Sequence, residues 1–326
     1  MKYVNTVSGP AAPAQLGRTL MHEHFLFGYC GFQGDATLGG FREREYLDAC
    51  LKAVEDARAY GIETIVDATT NECGRNVRFL KQVADLTGIR IICSTGYYFE
   101  AESSFAYWNF RKGFADVQQE IYEMMLAEVT QGIEGTDIKA GVIKLASSYQ
   151  QITPMEEMFF KAAARVQKET GVVIITHTQQ GTMGPQQADL LIASGADPGK
   201  IAIGHMCGSI DASYHEEVLK RGVYVNLDRF GLQGELFHTP TDEQRMDLIQ
   251  ALVDKGYGGK ILLGHDSVNV NLGRPIVMTE MMRESLKDAN IRTIGAKVLP
   301  GLKKRGMSDE QIDALLRSNP QSLFAS

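Results

Sequence analysis

Tryptophan occurs once in the 326 residues, at Trp108, and cysteine only five times. The thiols Cys30, Cys50, Cys73, Cys93 and Cys207 are odd in number and scattered, with no C-x-x-C pair. That usage argues against a disulfide framework and fits reduced thiols in a cytoplasmic compartment. Long apolar runs are also missing, and none approaches the ~20 residues that a membrane helix needs. The opening MKYVNTVSGPAAPAQLG has no continuous apolar stretch of the kind a secretory signal carries. Basic blocks are absent as well. Lys and Arg number 33 against 40 Asp and Glu, a formal net charge of −7, which disfavours nucleic acid or an anionic membrane as partner.

What is present is a repeated alternation. Short β-branched and apolar runs recur at TLMH (19–22), IETIVDAT (62–69), IRIICSTG (89–96), AGVIKLAS (140–147), GVVIITHT (171–178), KIAIGH (200–205), GVYVNLD (222–228) and KILLGHD (260–266). Runs that are continuously apolar, rather than alternating, predict strands buried on both faces, as in a parallel sheet. Between them lie segments of helical period, at 45–61, 76–88, 156–171, 185–195, 214–222 and 242–256. A last helix opens on a Ser308/Gln311 capping box and stops before Pro320.

Eight strand–helix units predict a (β/α)8 TIM barrel of the α/β class. Length alone suggests two domains, but such barrels often exceed 250 residues as one. No linker or composition shift divides the chain, so 1–326 reads as a single domain. The longest connection without strand signals follows the eighth strand, about 267–293, and is expected to shape the substrate pocket.

Barrel enzymes carry their chemistry at the C-terminal ends of the strands. Four of the seven histidines fall there: His22 and His24 at the first strand, His177 at the fifth, His205 at the sixth. Asp266 ends the eighth. Residues i and i+2 share a face, so His22 and His24 can both look inward while Met21 and Glu23 look elsewhere. Of the neighbours His265 and Asp266 only one can face the same centre. The carboxylate is the better candidate, which leaves His265 a structural role.

Lys144 is the odd member. Set between GVI and LAS, it lies deep in the barrel, where burial disfavours its charge. A neutral amine there could form a Schiff base, or it could capture CO2 as a carbamate and become an anionic bridging ligand. Four imidazoles favour the carbamate, because imidazole and carboxylate donors suit zinc, manganese, iron or cobalt. Charge agrees: a carbamate, Asp266 and a hydroxide offset most of the charge of two divalent ions, whereas an ammonium would add to it.

The motifs TLMHEH, AGVIKLAS, ITHT, IGHMCG and GHDS, in this order along essentially the whole chain, resemble the phosphotriesterase family of the amidohydrolase superfamily. HEHFLFGYCGFQGDATLG, GRNVRFL, LDRFG and VNVNLGRP look like its phosphotriesterase-like lactonases of the Geobacillus and Deinococcus type. The resemblance implies that His22, His24 and Asp266 bind a buried metal and that His177 and His205 bind a more exposed one. N6-carboxylated Lys144 and a hydroxide would bridge the pair, two divalent ions with zinc foremost and cobalt, manganese or iron as alternatives. Some family members carry Glu at the position of Lys144.

Tyr98 in STGYYFE and Arg229 in LDRFG match positions that lactonases place around substrate and metal. The implied activity is hydrolysis of γ- and δ-lactones, including N-acyl homoserine lactones, with organophosphate triesters as side substrates. Asp266 would take the proton and Tyr98 would steady the leaving oxygen. The alternatives are a dedicated phosphotriesterase or another ester or amide hydrolase. Such proteins are commonly homodimers. Asn271, in the loop after the eighth strand, departs from the aromatic residue expected there and bears on substrate range.

Overall fold

The computed structural model describes residues 3–234 and 238–326. Eight parallel strands follow one another around the molecule: β1 (Arg18–Phe27), β2 (Ile62–Asp67), β3 (Arg90–Gly96), β4 (Val142–Ser147), β5 (Val173–Thr178), β6 (Ile201–Ile203), β7 (Tyr224–Leu227) and β8 (Ile261–Leu263). Each pairs in parallel with the next from β1 to β8, and a ninth strand, β9 (Ser267–Asn271), pairs in parallel with β1. Because β9 continues the course of β8 after a three-residue break, it brings the eighth unit back to the first. The architecture is that of a (β/α)8 TIM barrel, as the alternation predicts.

The helices lie outside, and their ends follow the local chemistry. The helix Val77–Thr87 is capped by Asn76 Oδ1, which accepts from Phe79 N, and ends on left-handed Gly88. The helix Pro154–Thr170 carries a Thr153/Glu156 capping box with Pro154 in its first turn, and ends on Gly171.

The barrel interior is layered. Val142, Val173, Ile175, Ala202, Tyr224, Leu262, Met21, Val66 and Ile92 form one buried apolar cluster. Val4 and Ala11 of an N-terminal hairpin, Leu16, and Leu323 and Phe324 of the last helix close that layer from below. Period-2 alternation then lifts Lys144 two residues above Val142 and His177 two above Ile175. An apolar floor therefore supports a polar upper layer at the C-terminal mouth.

Several expectations are corrected. The first strand runs ten residues, not four, so both histidines lie inside it. The segment expected to lack a strand contains β9 and a short helix, Glu280–Ser285. The terminal helix stops at Leu316, but Ser318–Ala325 resumes directly with Pro320 in its first turn, where a missing N–H costs nothing. Two helices beyond those the periodicity predicts lie between β3 and β4, Phe105–Arg111 and Val117–Thr130, the second capped by Asp116.

A register shift between Leu20 and Glu23 sets three steps of β1 against two of β2. This bulge places Met21 in the interior cluster, against the expectation that it would face away, and still leaves both histidines facing inward. Among the described residues no helix is long and apolar enough to cross a membrane. Met1 and Lys2, part of the stretch read for a signal, lie outside the described residues.

Candidate metal centre and active site

All six residues read as candidate ligands meet at the mouth of the barrel. His22, His24, Lys144, His177, His205 and Asp266 line one cavity of about 610 Å³, together with Tyr98 and Arg229. Donor atoms of His22, His205 and Asp266 lie within 4.8 Å of one another. His24 Nε2 is 3.1 Å from Asp266 Oδ1, and Lys144 Nζ is 3.1 Å from His22 Nε2. The His177 ring stands edge-on to that of His205, with centroids 4.5 Å apart.

The local backbone is built for this. His205 and Asp266 both take left-handed conformations, with φ of 54° for each, just past the ends of β6 and β8. Non-glycine residues rarely hold such angles, and they persist where the surroundings enforce them. Gly96 at the end of β3 has φ +125°, and a Cβ there would sit 1.9 Å from the Lys144 carbonyl oxygen. Only glycine lets β3 approach β4 so closely beside the lysine.

A buried carboxylate that the sequence reading missed, Asp228 at the end of β7, organises two of the histidines. Its Oδ2 accepts from His22 Nδ1 at 2.7 Å, and its Oδ1 accepts from both N and Nδ1 of His205, at 2.8 and 2.9 Å. An ionised carboxylate only accepts, so both rings carry their proton on Nδ1 and leave Nε2 bare. Asp228 lies inside the LDRFG motif, and the rule that barrel chemistry sits at strand ends could have singled it out.

His24 Nδ1 makes a 2.8 Å bond with Thr69 Oγ1. His177 Nε2 pairs with Gln179 Oε1 at 2.7 Å, and its Nδ1 is buried with no hydrogen-bond partner among the described residues. An orphaned imidazole nitrogen beside two bare ones is what a metal site needs before loading. The donor set, imidazole with carboxylate, suits first-row divalent ions.

Charges agree with this. Burial, and then the charge of Lys144, lower the pKa of His22. Burial and then Arg229 hold His177 and His205 well below the usual range. Burial also brings Lys144 down to about 8, so that roughly a tenth of the amine is neutral at pH 7, far more than for an exposed lysine. Burial works against an ionised Asp266, but the His205 imidazole and the bond from His24, aided by the Arg229 guanidinium, keep it well below the ordinary carboxylate range. Arg229 Nε donates to Asp266 Oδ2 at 3.0 Å, and that carboxylate outweighs burial to hold the guanidinium charged.

His265 does not join the centre. Its Nδ1 donates to Glu23 Oε1 at 2.7 Å and its Nε2 accepts from Ile294 N at 3.0 Å. Glu23 faces away from the histidines, accepts from the N–H groups of His265 and Ser267, and so staples β1 to the segment bearing Asp266.

The model of the phosphotriesterase family matches residues 2–324. The chain belongs to that family. Among curated relatives, an aryldialkylphosphatase of Saccharolobus solfataricus is 32% identical over 315 residues, covering 95% of both chains. The solved organophosphorus hydrolase of Deinococcus radiodurans is 50% identical with a TM-score of 0.97, over 99% of this chain and 97% of that one. An engineered variant of a PTE-like lactonase from the same organism is 50% identical with a TM-score of 0.96, over 98% and 99%. This phosphotriesterase-family member is a hydrolase. Its family kinship and its cluster of histidines and aspartate agree on a metal-dependent mechanism.

Proposed function

We propose that the protein is a binuclear metal-dependent lactonase with a secondary activity on organophosphate triesters. The observation that carries the reading is the division of the cavity. Its floor holds the histidines, Lys144 and Asp266, while Leu232, Ile276, Met278, Met282, Leu286 and Ala289 line its side. A reacting ester with an attached acyl chain, as in N-acyl homoserine lactones, matches a polar floor beside an apolar wall. Asn271 at the end of β9 also borders the cavity, where it bears on chain preference.

In this reading His22, His24 and Asp266 would hold one divalent ion, His177 and His205 a second, and N6-carboxylated Lys144 would serve as an anionic ligand of the pair. Bound zinc, or cobalt, manganese or iron in its place, supplies an acidified water and electrophilic pull on the carbonyl. The residues of the chain do the rest. Asp266, oriented by Arg229, receives the water proton at a carboxylate oxygen and returns it to the departing alkoxide. The Tyr98 hydroxyl lines the cavity, and its burial pushes its pKa well above the usual value. It therefore stays protonated and donates a hydrogen bond to the leaving oxygen.

A tetrahedral intermediate at carbon resembles a tetrahedral phosphorus centre, which supports the side activity. The aryldialkylphosphatase relative supports a second reading, a dedicated phosphotriesterase. We place the protein in a reducing cytoplasmic setting, as a homodimer of single-domain chains (1–326) acting on a small lactone or ester. Quorum quenching follows if N-acyl homoserine lactones are the substrates in the cell.

The test is kcat/KM for γ- and δ-lactones, N-acyl homoserine lactones of graded chain length, and paraoxon. The lactones are expected to lead, rising with acyl length. Paraoxon turnover above that of every lactone would overturn the ranking.

A further inference from the structure

A second cluster of donors lies outside the histidine floor, where the loops after β1 and β2 meet. Donor atoms of Cys30, Glu72 and Cys73 lie within 4.8 Å of one another. Backbone contacts hold the loops together: Gly28 N donates to Cys73 O at 2.9 Å, and Cys30 Sγ lies 3.8 Å from Glu72 O. Cys73 is buried and Cys30 partly exposed, so the cluster has a way in from solvent.

Glu72 is satisfied on one side only. Its Oε1 accepts from Tyr98 N at 2.6 Å and from Ser103 Oγ at 2.7 Å. Among the described residues its buried Oε2 makes no hydrogen bond of normal geometry, and neither does the nearby Thr70 Oγ1. Leaving such an oxygen unpaired costs about 1–3 kcal/mol, and a buried unpaired group calls for a ligand or a function.

We propose that Cys30, Cys73 and Glu72 form a separate site for one thiophilic divalent ion, zinc in the cell. Two thiolates and a carboxylate supply three of the four donors of a tetrahedral zinc site, with the fourth position open to solvent or Thr70 Oγ1. Tetrahedral bonds of ordinary length put donors about 3.5–3.8 Å apart. The present separations, within 4.8 Å, would have to close by up to about 1 Å on binding. On binding, the two thiols release their protons to solvent, so affinity rises with pH.

The consequence reaches the active site through Glu72. With Oε2 on the ion and Oε1 on Tyr98 N, the ion clamps the loop that presents Tyr98, as well as the stretch bearing Tyr29, which also borders the catalytic cavity.

The experiment titrates reduced, metal-stripped, full-length protein with Co(II) and records the near-ultraviolet thiolate-to-cobalt charge-transfer band. The histidine centre contains no thiol and cannot produce it. The band is expected in the native protein, lost in Cys30→Ser and in Cys73→Ser, kept in His22→Ala, and displaced by Zn(II). Metal analysis of zinc-loaded Cys30→Ser should show one ion fewer than native. Glu72→Gln should weaken cobalt binding by roughly tenfold or more, and it decides the matter if Cys73→Ser does not fold. Absence of the band in native protein, or its survival in both serine variants, overturns the proposal. So does a Cys30–Cys73 disulfide that forms on mild oxidation equally with and without zinc, which makes the pair a redox couple instead.

Discussion

Replacing Asp228 by asparagine keeps the shape of a fully buried side chain and changes one oxygen to an amide nitrogen. Three donors converge on the native carboxylate: N and Nδ1 of His205 on one oxygen, and Nδ1 of His22 on the other. An asparagine that turns its carbonyl to His205 keeps two of these bonds and opposes its NH2 to the His22 Nδ1–H. The reverse orientation opposes two donors and is worse. The first orientation is therefore adopted, and His22 escapes the clash by moving its proton to Nε2.

That atom lies 3.1 Å from Lys144 Nζ and 3.5 Å from Asp266 Oδ1, and its lone pair is the one a metal needs. Loss of an orienting partner of this kind costs about 10–100-fold in metal affinity, roughly 1.4–2.8 kcal/mol. Metal-free protein should also lose about 1.5–3 kcal/mol of stability, because a neutral amide replaces the charged acceptor that these donors share. Chelator-competition titration measures the affinity, urea unfolding of metal-free protein measures the stability, and kcat/KM at limiting and at excess metal follows the activity. Excess metal should restore part of the activity. Native metal affinity and native kcat/KM in Asp228→Asn would refute the reasoning.

Other substitutions probe the rest of the site. Lys144→Ala should lower kcat/KM by more than the roughly 10–100-fold typical of an outer partner, with partial recovery by short carboxylic acids; full activity in the variant removes the carbamate. Tyr98→Phe keeps the ring, which packs against His177 with centroids 4.9 Å apart. If the hydroxyl steadies the leaving oxygen, kcat falls by up to roughly 100-fold with the melting temperature nearly unchanged; native kcat assigns Tyr98 to packing alone. Glu128→Ala removes the two bonds of 2.6 and 2.8 Å to the buried Arg75 guanidinium, leaves it Asn71, Ser94 O and the more distant Glu134, and should cost about 3 kcal/mol in urea unfolding. A loss below about 1 kcal/mol would show that Glu134 or solvent takes over the charge of Arg75.

Much of the fold was readable because barrel strands are buried on both faces and so appear as continuous apolar runs. The same burial made Lys144 conspicuous, since a lysine between GVI and LAS has no ordinary reason to be there. His22, His24, His177, His205 and Asp266 drew notice by standing at the ends of such runs. The reading weakened where local pattern and final geometry part company. Strict alternation misplaced Met21, because one extra residue in β1 shifts the register at Leu20–Glu23. The segment after β8 hid β9 because Ser267–Asn271 is only partly buried and its apolar signal is thin.

Residue types and their order determined the barrel and the set of polar side chains at its mouth. Only the closed tertiary structure decided how those side chains are held. Asp228 meets His22 across 206 residues of chain, and Glu23 meets His265 across 242. The Cys30–Glu72–Cys73 cluster likewise exists only where two loops come together. A side chain's type and periodicity are local properties, legible one segment at a time. A proton's place on an imidazole depends on which distant carboxylate closure of the sheet brings within 3 Å, and no window of sequence contains that partner.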